Sequence, residues 1–314
     1  MVILLVRRLK DNQKRLTPAN GISLNFIHAS KVLPDSNILV TAFLAVSGNA
    51  GNIVYTKKDS LKVVQLLNEA SRLPKNVNRM VFFGKKFIGI PYVANTLEVG
   101  NSEKLIVNLR QMDCTTFIET VSALTIADRR GQRSFSGFCN ALRQLRYRDG
   151  RMNGYTSRLH YFSFWVNDNI RKGLIGDRIN SRTPYAKGQR IQVNYMTNHP
   201  DKYKHLRNNP SNVRAIAGYE RRVNGSVRYY IPKAYVGLNR SKLSFIHDGD
   251  ILGTVTKKAG LDASHLGIAV WVNGKLHFLN ASALYHKVVL DKNTMYSYQQ
   301  KQRSQLGVNV VFVR

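Results

Sequence analysis

The chain has 314 residues, is 43% hydrophobic and 10% aromatic, and carries a formal net charge of +30. This length and apolar share exclude a disordered or fibrous chain and suffice for one large domain or two ordinary ones. Two cysteines in this length exclude a disulfide framework, and no Cys-x-x-Cys spacing points to zinc. The charge attracts polyanions (nucleic acid, anionic membrane or acidic wall polymer) without choosing among them. No RNP-like aromatic motif, zinc-finger spacing or recognition-helix signature accompanies it, so nucleic acid is not the expected partner.

The first residues, "MVILLVRRLKDNQKRL", place apolar residues before basic ones, the reverse of an export signal. Residues 31–51, "KVLPDSNILVTAFLAVSGNAG", have the right order: Lys31, an apolar run over 38–46, and the small-x-small pattern Gly48-Asn49-Ala50. This predicts a leader over 1–50 with an export signal at about 31–50; unused as a signal, the run is a buried segment of a cytoplasmic protein. It is too short to span a bilayer, and no stable membrane insertion is expected.

From Asp59 the pattern is orderly. "DSLKVVQLLNEASRLP" predicts a helix capped by Asp59 or Ser60, with Leu61, Val64 and Leu67 at helical spacing and Pro74 after its end. "GKKFIGIPYVANTLE" is a Gly/Pro-punctuated loop and "EKLIVNL" a short strand. Residues 114–127 form a second helix with Phe117, Val121 and Leu124 on one stripe, and "SFSGFCNALRQLRY" a third, carrying Cys139. Residues 151–245 mix aromatics and polar pieces, among them "NHPDKYKHLRNN" and "RAIAGYERRVN", both helical in character. They read as an insertion into a single catalytic domain over 51–314. The last quarter is β: "SHLGIAVWVNGKLHFLNASAL" turns at Asn273-Gly274, the strongest short hairpin signal, and "YHKVVL" and "GVNVVFVR" add strands. Helices first and an antiparallel meander last make the fold class α+β.

Asp113-Cys114 carries the first chemical signal. Asp is a good N-cap, and a cysteine directly after it sits among the unpaired N–H groups of the first turn. The helix dipole there favours thiolate, and those N–H groups can hold an oxyanion. Asp113 opposes thiolate formation, so a second helper is needed. Cys139, inside an apolar stripe, reads as structural.

A thiol nucleophile needs a base and a group to orient it. With a two-residue turn at Asn273-Gly274, Val272 pairs with Lys275 and, further down the ladder, Gly267 faces Asn280. His265, Gly267 and Asn280 then share one face, with His265 diagonal to Asn280, and His277 falls on the other. Cys114, His265 and Asn280 make a Cys-His-Asn constellation. "HDGDIL" over 247–252 reads as a turn entering a strand rather than a metal site. His160, in "SRLHYFSFW", is a core or a site histidine.

"GIPY", "DCTTF", "GDIL", "SHLGIAV" and "HFLNAS", in this order, resemble the NlpC/P60 superfamily of cysteine peptidases and amidases, and within it the DUF1460 branch of N-acetylmuramoyl-L-alanine amidase-like proteins. The resemblance runs from about residue 60 to the C-terminus and includes "TLE" at 96–98 and "GLDASHLGIAVW" at 260–271. It implies a papain-like fold with the cysteine helix packed on an antiparallel sheet. It also implies Cys114 as nucleophile, His265 as base and acid, and residue 280 as orienter. The branch usually has histidine where this chain has Asn280; Asn can also accept from the imidazole.

Tyr92 matches the superfamily's tyrosine beside the nucleophile. Asp113, Arg158, His160 and Ser264 join it as candidate substrate-binding residues. The implied substrate is a small peptidoglycan fragment, a muropeptide or anhydro-muropeptide, cut between the muramic lactyl group and L-alanine in the periplasm, without metal or organic cofactor. The alternatives are a D-γ-glutamyl-diamino acid endopeptidase, or a catalytically silent basic protein that binds wall or nucleic acid.

Overall fold

A computed structural model describes residues 52–314. The leader and the export segment expected within 1–50 lie outside the described residues.

Helix α1 (Lys57–Ser71) buries Val63, Leu66, Leu67 and Ala70 at helical spacing. Its cap is Thr56, not Asp59 or Ser60. Asp59 sits three residues in, where its carboxylate accepts from the Thr56 N–H at 2.9 Å while the Thr56 hydroxyl accepts from the Asp59 N–H at 3.3 Å. This reciprocal box satisfies two end donors where a lone Asp cap satisfies one, so the helix starts earlier. Helix α2 (Arg79–Lys85), not foreseen from the sequence, is only seven residues long and is capped by Asn78. The strand expected over "EKLIVNL" shortens to β2 (Leu105–Ile106), which pairs in parallel with β1 (Ile53–Val54).

Helix α3 (Cys114–Arg129) begins where expected, with Asp113 as its cap. A single apolar stripe does not describe it: residues 116–127 are buried all round. Helices α1, α2 and α4 (Phe135–Arg146) and the main sheet all pack against α3. A helix in that position buries polar residues too. Glu119 on α3 meets Arg146 on α4 at 2.7 Å, with both side chains almost wholly enclosed. The arginine also donates to the Ile106 carbonyl at 2.8 Å, so the buried pair is satisfied rather than orphaned.

Residues 151–245 hold α5 (Phe162–Arg171), β3 (Ile175–Asp177), β4 (Lys187–Arg190), α6 (Tyr195–Asn198), α7 (Pro210–Val223) and β5 (Val227–Pro232). "RAIAGYERRVN" lies in α7 as expected. "NHPDKYKHLRNN" does not form a helix: α6 ends at Asn198, and Pro200, which has no N–H to donate, opens only a single 3-10 turn. The remaining elements are β6 (Ile251–Thr256), β7 (Ala263–Val272), β8 (Lys275–Ser282), β9 (Lys287–Thr294), α8 (Met295–Gln300) and β10 (Gln305–Val313). The main sheet runs β4-β5-β10-β6-β7-β8-β9, with β3 also on β10, and its pairings are antiparallel. The 151–245 stretch is therefore woven into the sheet through β3 and β5, both on the C-terminal strand.

Strand β7 is buried on both faces. Leu266, Ile268 and Val270 join the large core shared with the helices. Ala269 and Trp271 join a second core with Phe278, Met295 and Tyr298. The β7–β8 register keeps Val272 opposite Lys275 and Ile268 opposite Leu279. The turn residues Asn273 and Gly274 both have positive φ, 49° and 72°, which the type I′ hairpin turn requires.

Candidate active site

The first turn of α3 sets the cysteine. The Asp113 carboxylate accepts from the Thr116 N–H at 2.8 Å, and the Asp113 carbonyl from the Phe117 N–H at 2.9 Å. Among the described residues, this leaves the Cys114 and Thr115 N–H groups as the first-turn donors without a partner. The thiol itself faces the main-chain N–H of Leu266 on β7, one residue from His265.

The expected depression of the thiol pKa is not what the surroundings produce. Burial, and next the Asp113 carboxylate, push Cys114 up to about 12, outweighing the Leu266 N–H and the Thr115 hydroxyl. Burial likewise holds His265 below its ordinary value, against the opposing pull of Asn280 and Asp113. The resting pair is therefore neutral thiol and neutral imidazole, because a buried ion pair loses more hydration than two helix N–H groups return.

His265 is oriented as the register predicts. Its Nε2 lies 2.9 Å from Asn280 Oδ1, and Asn280 Nδ2 donates to the Phe278 carbonyl at 3.1 Å. That second bond fixes which way the amide points: the oxygen faces the imidazole, so Nε2 carries the proton and Nδ1 keeps its lone pair. Gly267 makes the contact possible. A Cβ there would stand 2.8 Å from both Asn280 Cβ and the Leu279 carbonyl, so any side chain would wedge the two strands apart. A β-bulge at Ser264, between the Thr254–His265 and Val255–Ala263 pairs, sits just before the histidine. It falls on the β6 side of β7 and leaves the β7–β8 register intact; bulges of this kind re-aim neighbouring side chains.

Tyr92 is strapped beside Cys114. Its segment runs along the residues leading into α3, through Met112 N–H to the Pro91 carbonyl at 3.0 Å and Val93 N–H to the Met112 carbonyl at 3.1 Å. On its other side Tyr92 N–H donates to the His286 carbonyl at 2.9 Å. Burial raises the phenol pKa, and the neighbouring Cys114 and Asp113 raise it further, which keeps the hydroxyl protonated as a donor.

Sequence reasoning missed Tyr298, on α8. Its ring lies 6.5 Å from His265 and 5.5 Å from Phe278, and burial pushes its hydroxyl up to about 12. "MYSYQQ" is too short and mixed to flag it; only packing brings it to the site.

The other candidates fall elsewhere. Asp113 is engaged as the cap. Ser264 Oγ lies 3.0 Å from Thr254 Oγ1, off the histidine's face. Arg158 is buried and donates to Glu98 at 3.0 Å and Glu103 at 3.1 Å. His160 Nε2 donates to the Tyr155 carbonyl at 2.9 Å, with its ring 4.4 Å from Tyr155. Burial, and then the Arg158 charge, hold His160 well below its ordinary pKa. "HDGDIL" is a turn entering β6, with Asp250 accepting from Arg178 at 3.0 Å.

The profile of the N-acetylmuramoyl-L-alanine amidase-like family matches residues 82–308. The chain belongs to that family. Among solved structures it is similar to an N-acetylmuramoyl-L-alanine amidase from Bacteroides uniformis, at 37% identity over 75% of this chain and 98% of that one, with a TM-score of 0.71. A Bacteroides fragilis protein is 39% identical over 74% of this chain and 99% of its own, TM-score 0.69. A DUF1460 protein from Legionella pneumophila, 23% identical over 82% and 94%, shares the fold at a TM-score of 0.64. No functionally curated protein matches in sequence. Membership makes this chain an amidase-like hydrolase on a mixed α+β fold with an antiparallel sheet.

Proposed function

We propose that this protein is a cysteine-dependent amidase of the papain-like, NlpC/P60 kind, cutting the amide between the muramic lactyl group and L-alanine in muropeptides or anhydro-muropeptides. The observation that carries it is the bond from His265 Nε2 to Asn280 Oδ1 at 2.9 Å, which leaves Nδ1 as the base, on the strand whose next N–H faces the Cys114 thiol.

His265 Nδ1 takes the thiol proton as Cys114 Sγ attacks the amide carbonyl carbon. The oxyanion is held by the free N–H groups of Cys114 and Thr115, and Tyr92 is placed to donate a further hydrogen bond. The C–N bond breaks as His265 returns the proton to the leaving L-alanine nitrogen, giving a thioester. Water, deprotonated by His265, then releases the lactyl acid and restores the thiol. Arg158 and His160 are left out of these steps: Arg158 holds the Glu98 and Glu103 segments together, and His160 is bonded to the Tyr155 carbonyl. No metal enters these steps, so a chelator leaves the rate unchanged. We place the activity outside the cytoplasm on the signal-like residues 31–50, and N-terminal sequencing of the exported protein checks this.

The deciding experiment is mass spectrometry of a disaccharide-tetrapeptide incubated with the protein and with Cys114→Ala. Free disaccharide and intact peptide, lost in the variant, are the expected products. Disaccharide still bearing L-Ala-D-Glu would move the cut to the endopeptidase bond. Cleavage by Cys114→Ala would overturn the cysteine mechanism.

A further inference from the structure

The Asn280 bond fixes one point of the His265 ring and leaves the rest of it to be held by other groups. The terminal torsion of a histidine is broad and roughly two-fold, so an imidazole tied only at Nε2 can roll about that bond. Two aromatic rings stand against it. Phe278 on β8 meets the imidazole edge-on, with ring centroids 5.6 Å apart and planes at 76°. Tyr298 on α8 lies 6.5 Å away at 34°. The two rings also pack on each other, 5.5 Å apart at 50°, within the range where aromatic pairs attract.

Phe278 comes with the strand: it lies opposite Ala269 and two residues before Asn280, so both share the face of His265. Tyr298 does not. It belongs to α8, the short helix between β9 and β10, and that helix is fastened at both ends. The Thr294 hydroxyl accepts from the Ser297 N–H at 3.2 Å at its start, and Gln299 Nε2 donates to the Gly307 carbonyl of β10 at 2.9 Å near its end. Met295 anchors it in the cluster that holds both rings. Gln305 Nε2 reaches the phenol oxygen at 3.4 Å. Tyr298 is as deeply buried as His265. The titratable group that bears on the imidazole is Asp113, on α3, and those that bear on the phenol are Cys114 and Asp291, on α3 and β9. None of these is on α8, so removing the tyrosine ring leaves them in place.

We propose that Tyr298 is a positioning residue for His265: its ring and that of Phe278 bracket the imidazole, stop it rolling about the Asn280 bond and keep the Nδ1 lone pair aimed in one direction. The inference rests on the reading of His265 as the base at Cys114, and it adds to the Cys-His-Asn set a residue that acts through the histidine. A base held this way meets the thiol proton without a search over ring orientations, which is the orientational share of catalysis. The ring is the part that acts. The hydroxyl's partner among the described residues is the long Gln305 contact, which steadies the phenol and does not reach the imidazole.

The test compares the full chain with Tyr298→Ala and Tyr298→Phe. NMR of the His265 imidazole, its signals assigned by their loss in His265→Ala, reads the tautomer from the ring nitrogen shifts and the midpoint from a pH series. Cleavage of a soluble muropeptide is read in parallel. Wild type is expected to hold the proton on Nε2. Tyr298→Ala should mix the tautomers, move the His265 midpoint up toward the ordinary 6.5 as water reaches the ring, and lower kcat roughly tenfold with KM nearly constant. Tyr298→Phe should restore a single tautomer and most of kcat. Should Tyr298→Ala fail to fold, Tyr298→Leu, which keeps apolar bulk in the cluster, takes its place in the same comparison. A ring-deleted variant that melts earlier but keeps the wild-type tautomer, midpoint and kcat overturns the proposal, and so does a Tyr298→Phe as slow as Tyr298→Ala. Tautomer mixing on ring deletion in a protein that cleaves no muropeptide keeps the bracket and removes the amidase reading; cleavage with a tautomer indifferent to residue 298 does the reverse.

Discussion

Two buried polar regions with a histidine each, equally enclosed, have opposite character. Around Arg158, opposite charges are paired: Glu98 and Glu103 take its terminal nitrogens, Tyr147 donates to Glu103 at 2.8 Å, and Tyr155 lies under the guanidinium with its ring centroid 4.8 Å away, while Arg158 Nε and Glu98 Oε2 have no hydrogen-bond partner among the described residues. Around His265 there is no ion pair: imidazole and thiol are neutral, and the nearby Asp113 carboxylate is engaged as the helix cap. One ring nitrogen is satisfied by Asn280, the other is not, and two helix N–H groups wait unbonded. Both His265 and His160 are 8% exposed, so burial does not separate them. The one cluster balances opposite charges; the other, the proposed reactive one, carries no ion pair and keeps a ring nitrogen and two helix donors for a reacting molecule.

The comparison breaks most visibly at the histidines. His265→Ala is expected to lower kcat/KM by more than about 10³-fold while the folded structure persists. His160→Ala should change kcat far less, with its effect falling on KM and stability. Steady-state kinetics beside thermal melts reads both, and equal losses of kcat would erase the distinction.

Next in size is Arg158→Met. Removing the arginine strands the buried Glu103 carboxylate and leaves the partly exposed Glu98 unpaired, and about 3–5 kcal/mol of stability should be lost in urea unfolding. Turnover per folded molecule should stay near wild type. A raised KM with unchanged stability would instead make Arg158 a direct substrate ligand.

Asn280→Ala should cost about 10²-fold in kcat, because the imidazole loses both its tautomer and its aim. Asn280→His should restore most of that, since a histidine nitrogen can also accept from Nε2–H. If Asn280→His stays as slow as Asn280→Ala, the role of residue 280 is packing and not orientation.

The smallest effects are in pH. His265 and His160 have folded pKa values below the ordinary 6.5. Their contribution to stability is therefore complete above about pH 6.5 and is lost as pH falls through the folded values. Cys114 and Cys139 move from 9.0 up to about 12. Their contribution is complete below about pH 9 and is lost as pH rises toward 12. Melting temperature should therefore plateau between these limits, and the acid limb of kcat/KM should fall below pH 6.5. Iodoacetamide labelling of Cys114 should be slow at pH 7 and quicken steeply above pH 9; fast labelling at pH 7 would show a thiolate.

Local rules alone determined the parts of this protein whose cause is local. Asp113 before Cys114 is a cap wherever that helix forms, and Asn273-Gly274 fixes a two-residue turn, from which the strict alternation of a strand places His265 and Asn280 on one face. Helices ahead of a meander already declared an α+β chain. The short helix α2 escaped because it has too few residues to show a period, and the early start of α1 because Asp59 serves equally as cap or as box partner.

Other features belonged to tertiary structure, since they depend on which distant segments meet. Arg158 looked like a ligand for substrate until Glu98 and Glu103, some 60 and 55 residues away, were seen to take its charge. That residues 151–245 add strands to the main sheet was visible only once β3 and β5 paired with the C-terminal strand. Tyr298 reached His265 only through the packing of α8. The thiol's raised pKa was likewise a tertiary result: the helix start favours thiolate, but removing the group from water outweighs a few N–H dipoles, and no short stretch of sequence encodes burial.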